Sequence, residues 1–159
     1  MFFPLSKQFN YFVIIFIVFI ASVGILTQAK PSDAANMLSR EEVIEIVERQ
    51  ARAWENRDAE AIANDFAEDA VFVVPGMKFE GRTKIKAAAE DYFKQFTDTK
   101  VEIKNTIIEG DRGAVEWNWR DRSKHAQKLS YAEDAIIFEL EEDKIIYWRE
   151  YIEKKSPSS

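Results

Sequence analysis

The stretch Asp134–Glu153, DAIIFELEEDKIIYWREYIE, constrains the fold more than any other part of the chain. Its first half, Ala135, Ile136, Ile137, Phe138 and Leu140, is β-branched and aromatic, a composition that suits a strand. Glu141-Glu142-Asp143-Lys144 reads as a turn and Ile145–Ile152 as a second strand, so the stretch predicts an antiparallel hairpin. The second strand sets a charged pair, Arg149-Glu150, between Trp148 and Tyr151. A carboxyl placed among aromatic rings is the first candidate for chemistry. Upstream, Ala114–Arg122 alternates: Val115, Trp117 and Trp119 face one way, Glu116, Asn118 and Arg120 the other. Such alternation belongs to a sheet with one face covered.

The first half of the domain supplies the cover. Ser39 with Glu42 three residues on is a capping-box pattern. Val43, Val47, Gln50, Ala51 and Trp54 then form one stripe, with Ile44 beside it, so a helix is predicted over Arg40–Asn56. Asn56-Arg57-Asp58 breaks it, and Asp58 can cap a shorter helix over Ala59–Phe66. A strand follows at Ala70–Val74, stopped by Pro75-Gly76, and Phe79-Glu80-Gly81 reads as a loop. Thr83 can cap a third helix, with Ile85, Ala89, Tyr92, Phe93 and Phe96 on one face. Strands are then expected around Val101, Ile103 and Ile107, at Ala114–Arg122, at Ser130–Leu140 and at Ile145–Ile152. Three helices and four consecutive antiparallel strands make an α+β layout, with the helices on one face of a curved antiparallel sheet.

Residue types narrow the function. The chain of 159 residues has no cysteine and one histidine, His125, expected in an exposed turn. Thiolate chemistry, cysteine-based metal sites and a Ser-His-Asp triad have little or no material, and the reading calls for no metal and no cofactor. The net charge is −6 with no basic cluster, which argues against nucleic acid as a partner. The segment Tyr11–Leu26 is uncharged, follows Lys7 and precedes Thr27-Gln28-Ala29, a small-x-small pattern; Asp33-Ala34-Ala35 is a second, poorer one. It reads as an export signal or as an uncleaved membrane anchor, a hydrophobic helix ahead of the domain. Either way the domain is expected outside the cytoplasm, periplasmic or extracellular, with membrane contact only through that segment. The expected organisation is signal or anchor over 1–29, linker over 30–37, one domain over 38–155 and a tail over 156–159.

Arg52–Gly76, RAWENRDAEAIANDFAEDAVFVVPG, resembles the opening of SnoaL-like proteins of the NTF2-like superfamily: a helix, a short break, then a strand stopped by Pro. Phe79-Glu80-Gly81-Arg82 is similar to the loop that follows, and the closing hairpin is similar to the family's last two strands, with Asp143 in place of the turn Gly and Glu153 in place of a final Asp. The resemblance covers about Leu38–Lys155. It implies a cone-shaped α+β barrel with a pocket between sheet and helices, and dimers through the sheet. It spans isomerases, epoxide hydrolases, cyclases, dehydratases and binding domains, so it does not by itself name a function.

The resemblance also implies which residues to test. Where ketosteroid isomerase-like members need a helix tyrosine, a strand Asp and a second acid, this chain has Gln50, Val74 and Ile136. Where epoxide hydrolase-like members use Arg-x-Asp and a last-strand Asp, it has Trp117, Trp119 and Glu150. Both sets are broken. Trp117, Trp119, Ile136, Phe138, Trp148 and Glu150 are expected to point into the cone, Arg149 and Tyr151 away from it. Glu150 is the candidate general acid or base, or a buried polar group satisfied by a partner such as Gln50. Gln50, Trp54, Phe72, Val74, Phe93, Trp117, Trp119, Ile136, Phe138 and Trp148 are the candidate ligand-binding residues. Trp117 and Trp119 either fill the cone or floor a pocket for a flat apolar ligand. Asp134 shares the parity of Ile136, which allows it at the pocket mouth, and a surface charge is the favoured expectation. The favoured expectation is an exported, homodimeric domain that binds a small, mostly apolar molecule. An enzyme using Glu150, or a dimeric module without a ligand, stands as the alternative.

Overall fold

A computed structural model of the chain describes residues 38–155. The expected signal or anchor, the linker and the tail lie outside the described residues. Helix α1 (Arg40–Asn56) begins as the capping pattern predicts. The Ser39 hydroxyl accepts from the Glu42 amide at 3.2 Å, and the Glu42 carboxylate accepts from the Ser39 amide at 2.8 Å. It ends where Arg57 adopts a left-handed φ of 60°. The Arg57 guanidinium then donates to the carbonyls of Phe93 and Phe96 and lies 5.0 Å from the Phe93 ring centre, clasping the end of α1 to the chain at Phe93–Phe96.

Helix α2 (Ala59–Asn64) is capped by Asp58, whose carboxylate accepts from the Ala61 amide at 2.9 Å. It is shorter than its apolar pattern suggested, because strand β1 (Phe66–Val74) already starts at Phe66. Two further corrections concern the next turn. The stretch expected as a loop is an edge strand, β2 (Met77–Glu80), which pairs antiparallel with β1 through the two-residue Pro75-Gly76 turn, Gly76 having φ of 82°. Helix α3 (Arg82–Gln95) is entered from Gly81 with no side-chain cap, so Thr83 does not cap it. Gly81 sits at φ of 88°, and its amide donates to the Ala70 carbonyl at 2.8 Å.

Strands β3 (Phe96–Glu109), β4 (Arg112–Ser123), β5 (Leu129–Glu141) and β6 (Lys144–Lys155) form the antiparallel run that the alternation predicted. The sheet order is β2-β1-β6-β5-β4-β3. The sheet is mixed and not wholly antiparallel as expected, since β1 runs parallel to β6, with Phe72 opposite Trp148 and Val73 opposite Arg149. This pairing brings the first and last strands of the domain together.

Register places three rows of side chains on the face that the helices cover. Phe72, Trp148 and Phe138 form one row, ending at Gly113 on β4. A side chain at Gly113 has no room: an added Cβ would stand 2.6 Å from Phe138 Cζ and 2.5 Å from the Ile107 carbonyl oxygen. Glu150, Ile136 and Val115 form the second row, Ile152, Asp134 and Trp117 the third. Aromatic rings fill the space beneath the helices. Trp117 and Trp148 are fully buried, with ring centres 5.7 Å apart, and Phe138 stacks on Trp148 at 5.8 Å. Trp54 meets Tyr92, Phe93 and Trp119 edge-on at 5.5 to 5.6 Å. The opposite sheet face exposes Ile107, Ile137 and Tyr151. Among the described residues no helix is long and apolar enough to cross a membrane.

Candidate functional site

An indole buried in a core carries an N–H that needs an acceptor. Three tryptophans on the covered face bring one each. Trp117 Nε1 donates to Asp134 Oδ2 at 3.0 Å across the β4–β5 pair. Trp148 Nε1 donates to Glu150 Oε1 at 3.0 Å, two residues along the same strand. Trp119 Nε1 donates to Asp121 Oδ2 at 3.2 Å and to the Tyr92 hydroxyl at 3.1 Å. The concave face therefore holds three carboxyls, and their surroundings differ.

Asp121 is buried and well served. Besides Trp119, the Tyr92 hydroxyl donates to its Oδ2 at 2.8 Å and the Ser130 hydroxyl to its Oδ1. Burial also pushes the Tyr92 phenol well above its ordinary pKa, so it stays a donor. This cluster ties α3 to the sheet. Asp134 and Glu150 are poorly served. Asp134, expected at the surface, is only 3% exposed; its place opposite Trp117 draws it inward. Its Oδ1 is buried without a hydrogen-bond partner. Glu150 is half-buried and turns to the concave face, while Arg149 and Tyr151 on either side of it are exposed, as the alternation predicted.

The two carboxyls titrate apart. Burial raises Asp134 to about 6, the Trp117 N–H opposing the shift. Burial raises Glu150 further, to about 8; its bond from Trp148 opposes this, and the nearby Asp134 charge adds to it. Glu150 is the more exposed of the two by surface, yet it is shifted further. Burial is the main cause at both groups, and the charge of Asp134, which releases its proton first, adds the smaller part at Glu150. At neutral pH the pair carries one proton, on Glu150.

Glu150 opens on a cleft of about 700 Å³. Strand β1 leaves β6 after Val73 at Pro75, and β6 runs on. The gap between the Pro75–Met77 turn and the end of β6 is lined by Val74, Pro75, Met77 and Ile152 and by the charged Lys78, Arg149, Glu150 and Glu153. Of the residues singled out in the sequence, Val74 and Glu150 line this cleft. Trp119 lines a second, more polar one of about 730 Å³ with Glu55, Lys100 and Tyr131. Trp54, Phe72, Phe93, Trp117, Ile136, Phe138 and Trp148 are packed in the core. Gln50 is buried too, and its amide donates to the Ile62 carbonyl at 3.0 Å and to Asp65 Oδ2 at 2.8 Å. The partner that Glu150 finds is thus Trp148, and Gln50 joins α1 to α2. His125 is exposed in the β4–β5 turn. Among the described residues no three acidic or histidine side chains converge as a metal site.

Two acids with raised pKa values fix the sign of the pH dependence. In the folded state both hold their protons more tightly than in the unfolded chain, so the stability is fully present below about pH 4 and is lost as pH rises through about 6 and about 8. Glu42, Glu80 and Glu102, whose pKa values are lowered chiefly by hydrogen bonds, act only below 4.5. Between pH 5 and 8.5 the midpoint of thermal unfolding is expected to fall, by about 4 °C or more for each kcal/mol lost. Glu150→Gln is expected to flatten the fall. A Gln variant with the wild-type pH slope would disprove the assignment.

Comparison with known proteins places this geometry. A search of curated proteins returned no match. Among solved structures, a protein with a ketosteroid isomerase-like fold from Catenulispora acidiphila, in complex with trimethylamine, is similar with a TM-score of 0.64 at 23% identity, over 67% of this chain and 84% of that one. An epoxide hydrolase of the LEH-like type from M. tuberculosis gives 0.63 at 18%, over 71% and 84%. An NTF2-like protein from Burkholderia xenovorans gives 0.60 at 19%, over 72% and 92%. At these identities they show the fold alone. The sequence itself matches the SnoaL-like domain family over residues 47–148, and the chain belongs to that family, with the NTF2-like α+β fold.

Proposed function

We propose that the domain binds a small, mostly apolar molecule in the cleft between the Pro75–Met77 turn and β6, with Glu150 as its polar anchor. One observation carries the reading: a carboxyl that burial keeps protonated at neutral pH opens on a cleft whose apolar lining is Val73, Val74, Pro75, Met77 and Ile152, with Lys78, Arg149 and Glu153 as its other charged residues. Apolar walls with one or two placed polar groups are the usual form of a small-molecule site. The trimethylamine in one similar structure and the epoxide hydrolase among the others support a small-molecule role for such a fold without naming the molecule. A thermal-shift panel of small apolar alcohols, ketones and lactones is expected to yield compounds that raise the unfolding midpoint. Val74→Trp, which fills the cleft, is expected to abolish the effect. A panel without a single hit would sink the reading.

A second reading is favoured by the carboxyl pair. At neutral pH Asp134 is a base and Glu150 an acid, the division that acid–base catalysis on a weakly polar substrate requires. If a panel compound is turned over, Glu150→Gln is expected to lower the rate by about 100-fold or more. Unchanged turnover in that variant would leave binding as the function.

The exposed Ile107, Ile137 and Tyr151 on the outer sheet face support a homodimer through that face. Sedimentation is expected to show a dimer that Ile137→Asp converts to monomer; a monomeric wild type would count against it. The uncharged segment Tyr11–Leu26 supports an exported setting, checked by the N-terminal mass of protein recovered outside the cytoplasm.

A further inference from the structure

Strand β6 is paired along its whole length on one side and along only part of it on the other. β5 accompanies it from Lys144 to Lys155. β1 accompanies it as far as Arg149, which stands opposite Val73, and then bends away through Pro75-Gly76 into β2. From Glu150 onward the second edge of β6 has no strand beside it. Among the described residues no loop backbone bonds to that stretch either. Alternate residues of a strand turn their N–H and C=O toward each edge, so this edge carries backbone donors and acceptors that the sheet does not use.

The cleft of about 700 Å³ lies along that edge. Its wall on β6 is Arg149 to Glu153, every residue in turn, and its facing wall is Val73 to Lys78, again every residue. Side chains of a strand alternate between its two faces, so a wall that uses each residue in turn is the edge of the strand and not one of its faces. The side chains beside the edge sort by parity. Glu150 and Ile152 stand in the rows of Ile136 and Asp134 on the covered side, and Met77 stands opposite Val74 there. Arg149 and Tyr151 are exposed on the other side, where Lys78 stands opposite Val73. Lys78 is engaged by Glu80 at 2.5 Å, and Glu153 by Lys155 at 2.8 Å. Arg149 lies 5.1 Å from the Tyr151 ring centre and enters no salt bridge among the described residues.

Resting on the cleft reading above, we propose that the ligand is a short extended peptide that pairs with the free edge of β6 over Glu150–Glu153, apolar at the residues that turn inward and acidic at the residue beside Arg149. Its backbone meets the unused N–H and C=O groups of the edge. One row of its side chains lies against Val74, Met77 and Ile152, and the other lies outside, where Arg149 offers an unengaged charge. The slot is bounded at both ends: β1 occupies the edge up to Arg149, and Glu153, Lys154 and Lys155 set charge along its far end. A segment of about four residues fits between these bounds, whereas the long strand of a second copy meets the charged end.

The test uses acetyl-Val-Asp-Val-Asp-Val-amide and titration calorimetry on the full-length protein. Two isomers of the peptide carry N-methyl groups on alternate residues, one on the second and fourth, the other on the third and fifth. Only one of these sets can face β6, so one isomer is expected to bind as the parent does and the other at least about tenfold more weakly. A counterpart with Lys in place of both Asp reads the charge. The ratio of the Asp-peptide affinity to the Lys-peptide affinity is expected to fall at least about tenfold in Arg149→Glu, an exposed position whose fold is checked by near-ultraviolet circular dichroism. Val74→Trp is expected to abolish binding of the parent peptide. Equal binding of the two isomers, or an unchanged ratio in Arg149→Glu, would overturn the inference. No peptide binding, with small apolar compounds still raising the unfolding midpoint, would overturn it and leave the cleft reading standing. Binding of neither class would overturn both. A peptide that discriminates between the isomers yet binds Val74→Trp unchanged would lie on another edge of the sheet and overturn the assignment to β6.

Discussion

The indole N–H groups of the covered sheet face govern much of what this domain can be. Three large rings give the core its volume, and each brings a donor that would cost about 1–3 kcal/mol if left unpaired. Each is met by a carboxyl: Trp117 by Asp134, Trp119 by Asp121, Trp148 by Glu150. A carboxyl brought inside to satisfy an indole must then be satisfied itself. At Asp121 the tyrosine and serine hydroxyls complete the task, and the cluster becomes a fastening between helix and sheet. At Asp134 and Glu150 nothing completes it. The same packing device yields structure at one end of the sheet and unspent polar capacity at the other.

Two of the three pairings are written in the sequence as Trp-x-acid: Trp119-Arg120-Asp121 and Trp148-Arg149-Glu150. Period-two alternation puts both members on one face, so strand parity alone brings them together. The third is not legible. Trp117 reaches Asp134 only because the β4–β5 register sets them opposite, and register depends on where an irregular turn of Ser123–Lys128 closes. Strand parity placed Asp134 on the right face, but an aspartate beside a glutamate is most often a surface charge, and that expectation prevailed. The boundaries of α1 were legible for a local reason, since the capping box of Ser39 and Glu42 and the break at Asn56-Arg57-Asp58 each lie within a few residues of the end they set. The β1–β6 pairing and the short β2 edge were not, since both depend on where the chain turns at Pro75-Gly76 and on what lies far away in sequence.

The aromatic residues expected to line a pocket show how volume decides the location of a site. Trp117 and Trp148 occupy the cone with almost no exposure, and their rings touch one another and Phe138. The open space lies instead in clefts at the margins of the sheet, one of them where β1 turns away and β6 does not. Gly113 belongs to the same economy of space: it has no side chain because Phe138 has taken the room. Glu150 reaches such a cleft, and Asp134, on the neighbouring strand, stays buried.

The parallel pairing of β1 with β6 has a consequence in time. The two strands are the first and last of the domain, so the contact between them closes a long loop that holds every other strand, and such closures are slow relative to the local hairpins β3–β4, β4–β5 and β5–β6. The four-stranded meander can assemble as soon as its turns form; the strand that walls the cleft can join only after the last residues are present. β1, synthesised earlier, has only β2 beside it until β6 arrives.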